Sequence, residues 1–496
     1  MANNIRTLGE LKSSGYKPKT IKEELRDNLI DKLKSGENVF KGVLGFENSV
    51  IPDLERAILS RHNILFLGLR GQAKTRIARL MTSLLDEYIP CVEGSEINDD
   101  PLNPISIAAR DIIEEKGDVT PIYWLHREER YVEKLATPDV SVADLIGDVD
   151  PIKAASLKLP YSDERVIHFG LVPRAHRSIF VLNELPDLQA RIQVSLFNIL
   201  QEGDLQIRGF KLRFPLDIQF VFTANPEDYT NRGSIVTPLK DRIESQILTH
   251  YPESLEVAQA ITQQEAKITS DQEENISVSP YLTLLIEMIS FEARESEYID
   301  ENSGVSARMS ISAFENLISA AERRALINNN FPTEARIIDL WGIIPSITGK
   351  VELVYEGELE GPKAVALELI ETSIKNLFLQ HFPHPEKSIK MGNDPYQKVK
   401  KWFSDGNSLI CEPYASDKTY QSELAQVNGL TELIESYATD KGSKHFWMEV
   451  VLHGLSSFKV IGRNQVDNTF NFNDPLASIL DDLDDEDELD EDLFDN

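Results

Sequence analysis

Apolar positions at Leu8, Leu11, Ile21, Leu25 and Leu29 recur among charges at helical spacing, and Pro18 splits the run. That pattern predicts two short helices between Asn4 and about Ser35. The stretch 50–59 predicts a further amphipathic helix with Pro52 near its first turn. From Asn63 to Thr249, strand-like apolar runs alternate with helical stretches, which predicts an α/β domain with a mostly parallel sheet. Its clearest strands are 64–67, 178–182 and 218–223. Beyond Pro252 the spacing is mostly helical, over 254–267, 280–293, 310–325 and 364–381. Residues 349–361 alternate like an amphipathic strand before the turn at Gly361-Pro362. Past Pro385 the pattern is mixed, with a basic patch at Lys398, Lys400 and Lys401 beside Trp402. It predicts a small third unit or an extension of the helical one. No fixed-period repeat runs through the chain.

A chain of 496 residues is too long for one compact core, so two or three domains are expected. A hydrophobic content of 41% and a charged content of 27% are ordinary for a soluble protein. No apolar run is long enough to span a bilayer, and the N-terminus lacks a secretory apolar region, so no membrane partner and a cytoplasmic location are expected. Cys91 and Cys411 read as two reduced, buried thiols. His381 and His384 are the nearest approach to a metal pair, without further ligands at zinc spacing. The net charge of −31 disfavours a nucleic-acid track, which requires clustered Lys and Arg. Part of that charge lies in 481–496, which carries acidic residues and no basic one. Self-repulsion and scarce apolar content predict a disordered acidic tail, serving as a solubilising end or as a contact for a basic partner.

Three segments carry chemistry. In the first, an apolar strand runs into Gly68, Leu69, Arg70, Gly71, Gln72, Ala73, Lys74 and Thr75, and Arg76 begins a helical stretch behind them. Polyphosphate binding needs that order: backbone N–H groups cradle phosphates, a lysine reaches the outer ones, and a hydroxyl holds Mg²⁺. Ala73 stands where the general phosphate-loop pattern has its second glycine, and is tolerable if its φ stays in an allowed region. The bland alternative is a glycine-containing turn with a surface lysine. In the second, a buried strand ends in Asn183-Glu184. Glu184 fits the base that polarises an attacking water. Asn183 stands where an acid is expected, and bonds to a metal-bound water without supplying charge. A polar strand cap is the alternative. In the third, a strand ends at Asn225-Pro226. Were that strand to lie between the other two, Asn225 would orient the lytic water; otherwise Asn-Pro starts an ordinary turn.

Loop, Asn-Glu strand end and strand-terminal Asn occur here in the order and approximate spacing of AAA+ ATPases. The chain resembles the MoxR and magnesium-chelatase I-subunit branch, whose loops typically read Gly-x-x-Gly-x-Ala-Lys-Thr, as at Gly68–Thr75. Val43-Leu-Gly-Phe46-Glu47 is similar to the branch's Gly-Gln-Glu segment, with Phe46 in place of Gln. The stretch from His168 to Arg177 resembles its Gly-x-Leu-x-x-Ala region. Residues 190–203 resemble the helix that follows the Asp-Glu strand, and 205–214 the hairpin before the next strand. Thr237-Pro-Leu239-Lys-Asp-Arg242-Ile243 resembles Leu-x-x-Arg-Phe, and Gly304-Val-Ser306-Ala-Arg308 resembles Gly-x-Ser-x-Arg. The resemblance covers about Val43 to Ala325.

It implies an AAA+ parallel-sheet nucleotide-binding domain followed by a helical lid. The implied divisions are N-terminal helices over 1–40, an ATPase core over 41–252, a lid over 253–385, a C-terminal extension over 386–475 and the tail over 476–496. It also implies ATP and Mg²⁺ as cofactors, with Thr75 and Asn183 towards the metal. Glu184 and Asn225 would handle water, Arg308 would sense nucleotide in cis, and Arg242 would act as an arginine finger in trans. A surface salt bridge is the plainer role for either arginine. An in-trans residue implies a homo-oligomeric ring, six-membered as the family suggests. The region of Asp144–Asp148 and the 205–214 hairpin would project and touch clients. Members of the branch usually work with a protein carrying a von Willebrand A domain. A scaffold that binds ATP but turns it over poorly, and more remotely a nucleic-acid motor, are the alternatives.

Overall fold

The computed structural model describes residues 5–161, 163–202, 204–205, 214–226, 234–390, 392–438, 444–466 and 469–475. The chain divides into two compact units, Met1–Tyr251 and Pro252–Asn496.

The first unit is built on five parallel strands: β1 (Ile64–Leu67), β2 (Tyr131–Leu135), β3 (Ser178–Asn183), β4 (Ile218–Ala224) and β5 (Ser245–Leu248). Their order across the sheet is β5-β1-β4-β3-β2. Side chains alternate between two faces. Ile64, Phe66, Ile179, Val181 and Val221 join one apolar layer, while Leu65, Phe180, Leu182, Phe220 and Phe222 join the other. Burial on both faces is why β1, β3 and β4 read as continuous apolar runs.

The N-terminal helices belong to this core. Leu8–Ser13 (α1) and Ile21–Ser35 (α2) are separate, and each begins with a capping box, Thr7 with Glu10 and Thr20 with Glu23. Ile21, Leu25 and Leu29 of α2 pack in the same layer as Val50–Leu59 (α3) and Lys74–Leu80 (α4). Glu24 of α2 takes a bidentate pair of hydrogen bonds from buried Arg130, both 2.7 Å, beside the start of β2. Asp217, just before β4, accepts from the Ile21 amide at 2.8 Å and so caps α2 from outside the helix.

In the second unit, helices Leu255–Glu265, Pro280–Glu295, Arg308–Asn328, Pro362–His381 and Lys444–Ser457 surround one apolar core. Residues on both sides of Pro385 share that core, among them Leu285, Leu377, Phe403, Trp447 and Phe470. A three-stranded antiparallel sheet, Leu409–Cys411, Thr469–Asn473 and Gly462–Val466 in spatial order, completes the unit. A parallel α/β sheet followed by a helical unit, as expected, is what the chain forms.

The strand expected over 349–361 is absent. Only the stretch around Leu353 pairs, as a single bridge with Ile299, and Tyr355–Glu360 is a short helix. Glu356, Glu358 and Glu360 are good helix formers, and Gly357 packs its backbone against the Tyr298 carbonyl. The alternating apolar positions Tyr355 and Leu359 are each 70% exposed, so no sheet face rewards the alternation. The interior of the 205–214 hairpin and the acidic tail lie outside the described residues. At the hairpin base, Asp204–Leu205 pairs antiparallel with Phe214–Pro215. The Asp144–Asp148 region forms a helix, Val142–Leu145, and then a strand, Gly147–Val149, paired with Ile167–Phe169. Among the described residues no helix is long and apolar enough to cross a membrane.

Candidate functional site

The register of the sheet brings the three chemical segments to one edge. Leu67 of β1 is level with Ala224 of β4, and Phe222 of β4 is level with Leu182 of β3. Gly68, Asn225, Asn183 and Glu184 therefore follow one another along the C-terminal ends of adjacent strands. That is the edge where ligands bind in open α/β sheets. The strand ending at Asn225 lies between the other two, which is the condition set for it from the sequence. The Gly68 amide donates to the Ala224 carbonyl at 3.2 Å, which ties the start of the loop to β4.

The loop is tightly held. Gly68 has no room for a Cβ, because the side chains of Thr249 and Gln72 fill the space and hydrogen-bond to each other at 2.7 Å. Gly71 has φ of 76° and Ala73 φ of 54°, both left-handed. Ala73 thus meets the condition of an allowed φ only in the small left-handed region, at a steric cost that glycine would not incur. It caps α4, whose first residues are Lys74 and Thr75. Lys74 is buried, and its ammonium donates to the carbonyls of Leu69, at 2.9 Å, and of Gly68. The Arg70 carbonyl accepts from the Tyr251 hydroxyl at 3.0 Å. Arg76 is exposed at the first turn of α4.

Asn183 is the hub of the site. Its Oδ1 accepts from Thr223 at 3.1 Å and lies 3.4 Å from the Thr75 hydroxyl. Its Nδ2 donates to Glu133 Oε1 at 2.6 Å, and Glu133 Oε2 takes a 2.8 Å bond from Arg79 of α4. Arg79 also lies over the Tyr131 ring, 5.3 Å from its centroid. Burial pushes the Tyr131 phenol up to about 12, and the Glu133 charge adds to the effect. Glu184 sits just past β3 with φ of 54°, and its amide donates to the Thr223 hydroxyl at 3.1 Å. Asn225 is buried at the end of β4. Thr75 and Asn183 present a hydroxyl and an amide oxygen, the hard donors Mg²⁺ takes. Their 3.4 Å separation is close to the spacing, about 3 Å, of neighbouring ligands in an octahedral shell. The donor set fits that ion.

Arg242 donates to Gln201 at 2.8 and 3.0 Å and to the Pro238 carbonyl at 2.7 Å, and lies over the Phe197 ring. Arg308 belongs to the second unit, where it is exposed as the first residue of Arg308–Asn328. Sequence reasoning missed Glu133, Arg79 and Thr223. The available signal was Asn183 itself, since a buried amide needs an acceptor for its N–H₂ group.

No protein-family profile matches the chain. Among solved structures it is similar to a candidate ATPase of Cytophaga hutchinsonii, at 18% identity over 74% of this chain and 98% of that one, with a TM-score of 0.31. A chain from the BchI–BchD complex of magnesium chelatase matches at 18% identity over 64% of this chain and 98% of that one, with a TM-score of 0.33. NtrX of Brucella abortus, in complex with ATP, matches at 13% identity over 59% and 52%, with a TM-score of 0.33. The chain's own residues define the site: a loop lysine and threonine, an Asn-Glu pair and an Asn brought to one edge of a parallel sheet.

Proposed function

We propose that the chain binds and hydrolyses ATP at the C-terminal edge of its central sheet and uses the cycle to remodel or activate a partner protein, in the manner of MoxR or magnesium-chelatase I subunits. The observation that carries this reading is the link from loop to strand end, the 3.4 Å approach of the Thr75 hydroxyl to Asn183 across β4. Lys74 contacts the β- and γ-phosphates, and the amides of the loop from Gly68 to Thr75 cradle them. Thr75 and Asn183 hold Mg²⁺, which, when bound, neutralises charge on the phosphate oxygens. Glu184 takes the proton of the attacking water, and Asn225 orients that water. Arg308 senses nucleotide within the subunit, and Arg242 leaves Gln201 to reach the neighbouring subunit's phosphates, which makes the working form a ring. The region of Asp144–Asp148 and the 205–214 hairpin are the elements that touch the client. A protein with a von Willebrand A domain is the partner this assignment suggests.

Glu184→Gln separates binding from chemistry, because the amide cannot accept the proton. Steady-state phosphate release is expected to fall at least about 100-fold while ATP affinity stays within about twofold. Unchanged release in Glu184→Gln contradicts the assignment. The neutral Asn183 favours a second reading, a nucleotide-gated scaffold. Wild-type protein that binds ATP tightly but releases no phosphate above background would establish it.

A further inference from the structure

We propose that Glu133 is the acid of this nucleotide site, acting through Asn183: it aims the Asn183 amide oxygen at Thr75 and supplies the negative charge that position 183 lacks. The inference rests on the ATP and Mg²⁺ reading above and gives that site a positioning residue outside its recognisable motifs.

The chemistry of the contact fixes the amide. An ionised carboxylate only accepts hydrogen bonds, so Asn183 must turn its N–H₂ end towards Glu133 Oε1, 2.6 Å away. The oxygen end then faces the two hydroxyls, Thr223 at 3.1 Å and Thr75 at 3.4 Å. The opposite orientation would set the amide oxygen against the carboxylate and leave the hydroxyls facing N–H donors. Glu133 is itself held. It is on β2, level with Val181 of the neighbouring β3, and its second oxygen is occupied by Arg79 at 2.8 Å. Arg79 is four residues after Thr75 on α4, hence on the same helix face. Thr75, Asn183, Glu133 and Arg79 form a closed circuit that runs from the helix behind the loop, through two strands, back to that helix. A polarised amide one hydrogen bond from a carboxylate is a better cation ligand than an isolated amide, and partners behind a metal ligand typically govern 10- to 100-fold in affinity, by about that order.

The test is a Mg²⁺ titration of the full chain with a fluorescent ATP analogue, read as binding affinity rather than turnover, for wild type, Glu133→Gln, Asn183→Asp and Asn183→Asp/Glu133→Gln. Glu133→Gln is expected to raise the Mg²⁺ concentration at half-maximal effect about tenfold while leaving affinity in EDTA unchanged. Asn183→Asp alone sets two carboxylates in direct contact and is expected to weaken the Mg²⁺ effect. The double variant restores one carboxylate and one amide in exchanged positions and is expected to return the midpoint to within about threefold of wild type, and it serves if Glu133→Gln does not fold. A midpoint indifferent to Glu133→Gln, or an Asn183→Asp variant coupled to Mg²⁺ more tightly than the double variant, overturns the inference. If nucleotide binding still depends on Lys74 in that case, the ATP reading survives; absence of any binding by wild type overturns both.

Discussion

Ala73 shows how one residue carries both the recognisable and the strained part of the loop. Its methyl group suits a Gly-x-x-Gly-x-Ala-Lys-Thr loop, yet its φ of 54° is one that L-residues adopt at a cost of roughly 1 kcal/mol or more. Ala73→Gly removes that steric cost and loosens the unfolded chain, and the first term is larger in the left-handed region. Chemical denaturation of the variant is therefore expected to show a net gain of roughly 0.5 kcal/mol. A loss of that size would mean the alanine side chain contributes packing that outweighs its strain. The residues of the loop, Asn183, Glu184 and Asn225 were legible because each ends an apolar run with a polar group of definite chemistry. Glu133 was not. It is a charged residue in Tyr-Val-Glu-Lys-Leu, and its meaning appears only when β3 lies beside it.

Among elements, legibility followed burial. Strands β1, β3 and β4 are covered on both faces and were recognised, whereas β2 and β5 are partly polar and edge-forming, and were not. The 349–361 segment alternates without a sheet to pack on, so its glutamates and the following Gly-Pro turn set a helix instead. The attachment of α2 could not be read either, since it depends on Glu24 meeting Arg130 and on Asp217 reaching the Ile21 amide, contacts distant in sequence. Burial raises the Asp217 carboxyl from 3.8 to about 6, against the opposing influence of the Ile21 amide, Arg177 and Arg130 and with that of Glu24. The folded state thus binds more protons than the unfolded state between those values. The Asp217 contribution to stability is present below about pH 4 and is lost as pH rises through about 6, by roughly 3 kcal/mol. Asp217→Asn keeps an oxygen for the Ile21 amide without the charge. Its melting temperature relative to wild type is expected to rise between pH 4 and pH 6 and then level off. A difference that does not change with pH would show that Asp217 is ionised and compensated throughout.

At the scale of the whole molecule, the assignment of Arg242 to a neighbouring subunit has a consequence that single-chain mutagenesis does not reach. Lys74→Ala subunits lack a working nucleotide site but retain the finger, and Arg242→Ala subunits have the reverse defect. Mixed in equal amounts, the two are expected to recover phosphate release well above either alone, because some shared sites contain both residues. A mixture no more active than the mean of its parts would place Arg242 outside the site. Beneath ring, client and hydrolysis lies one physical claim, that Lys74 and the amides around it grip a triphosphate. Calorimetric titration of ATP into wild type and Lys74→Ala measures it directly. Saturable binding by wild type, weakened at least about 100-fold in the variant, is the expected result. No binding by wild type, or equal binding by both, would contradict the account.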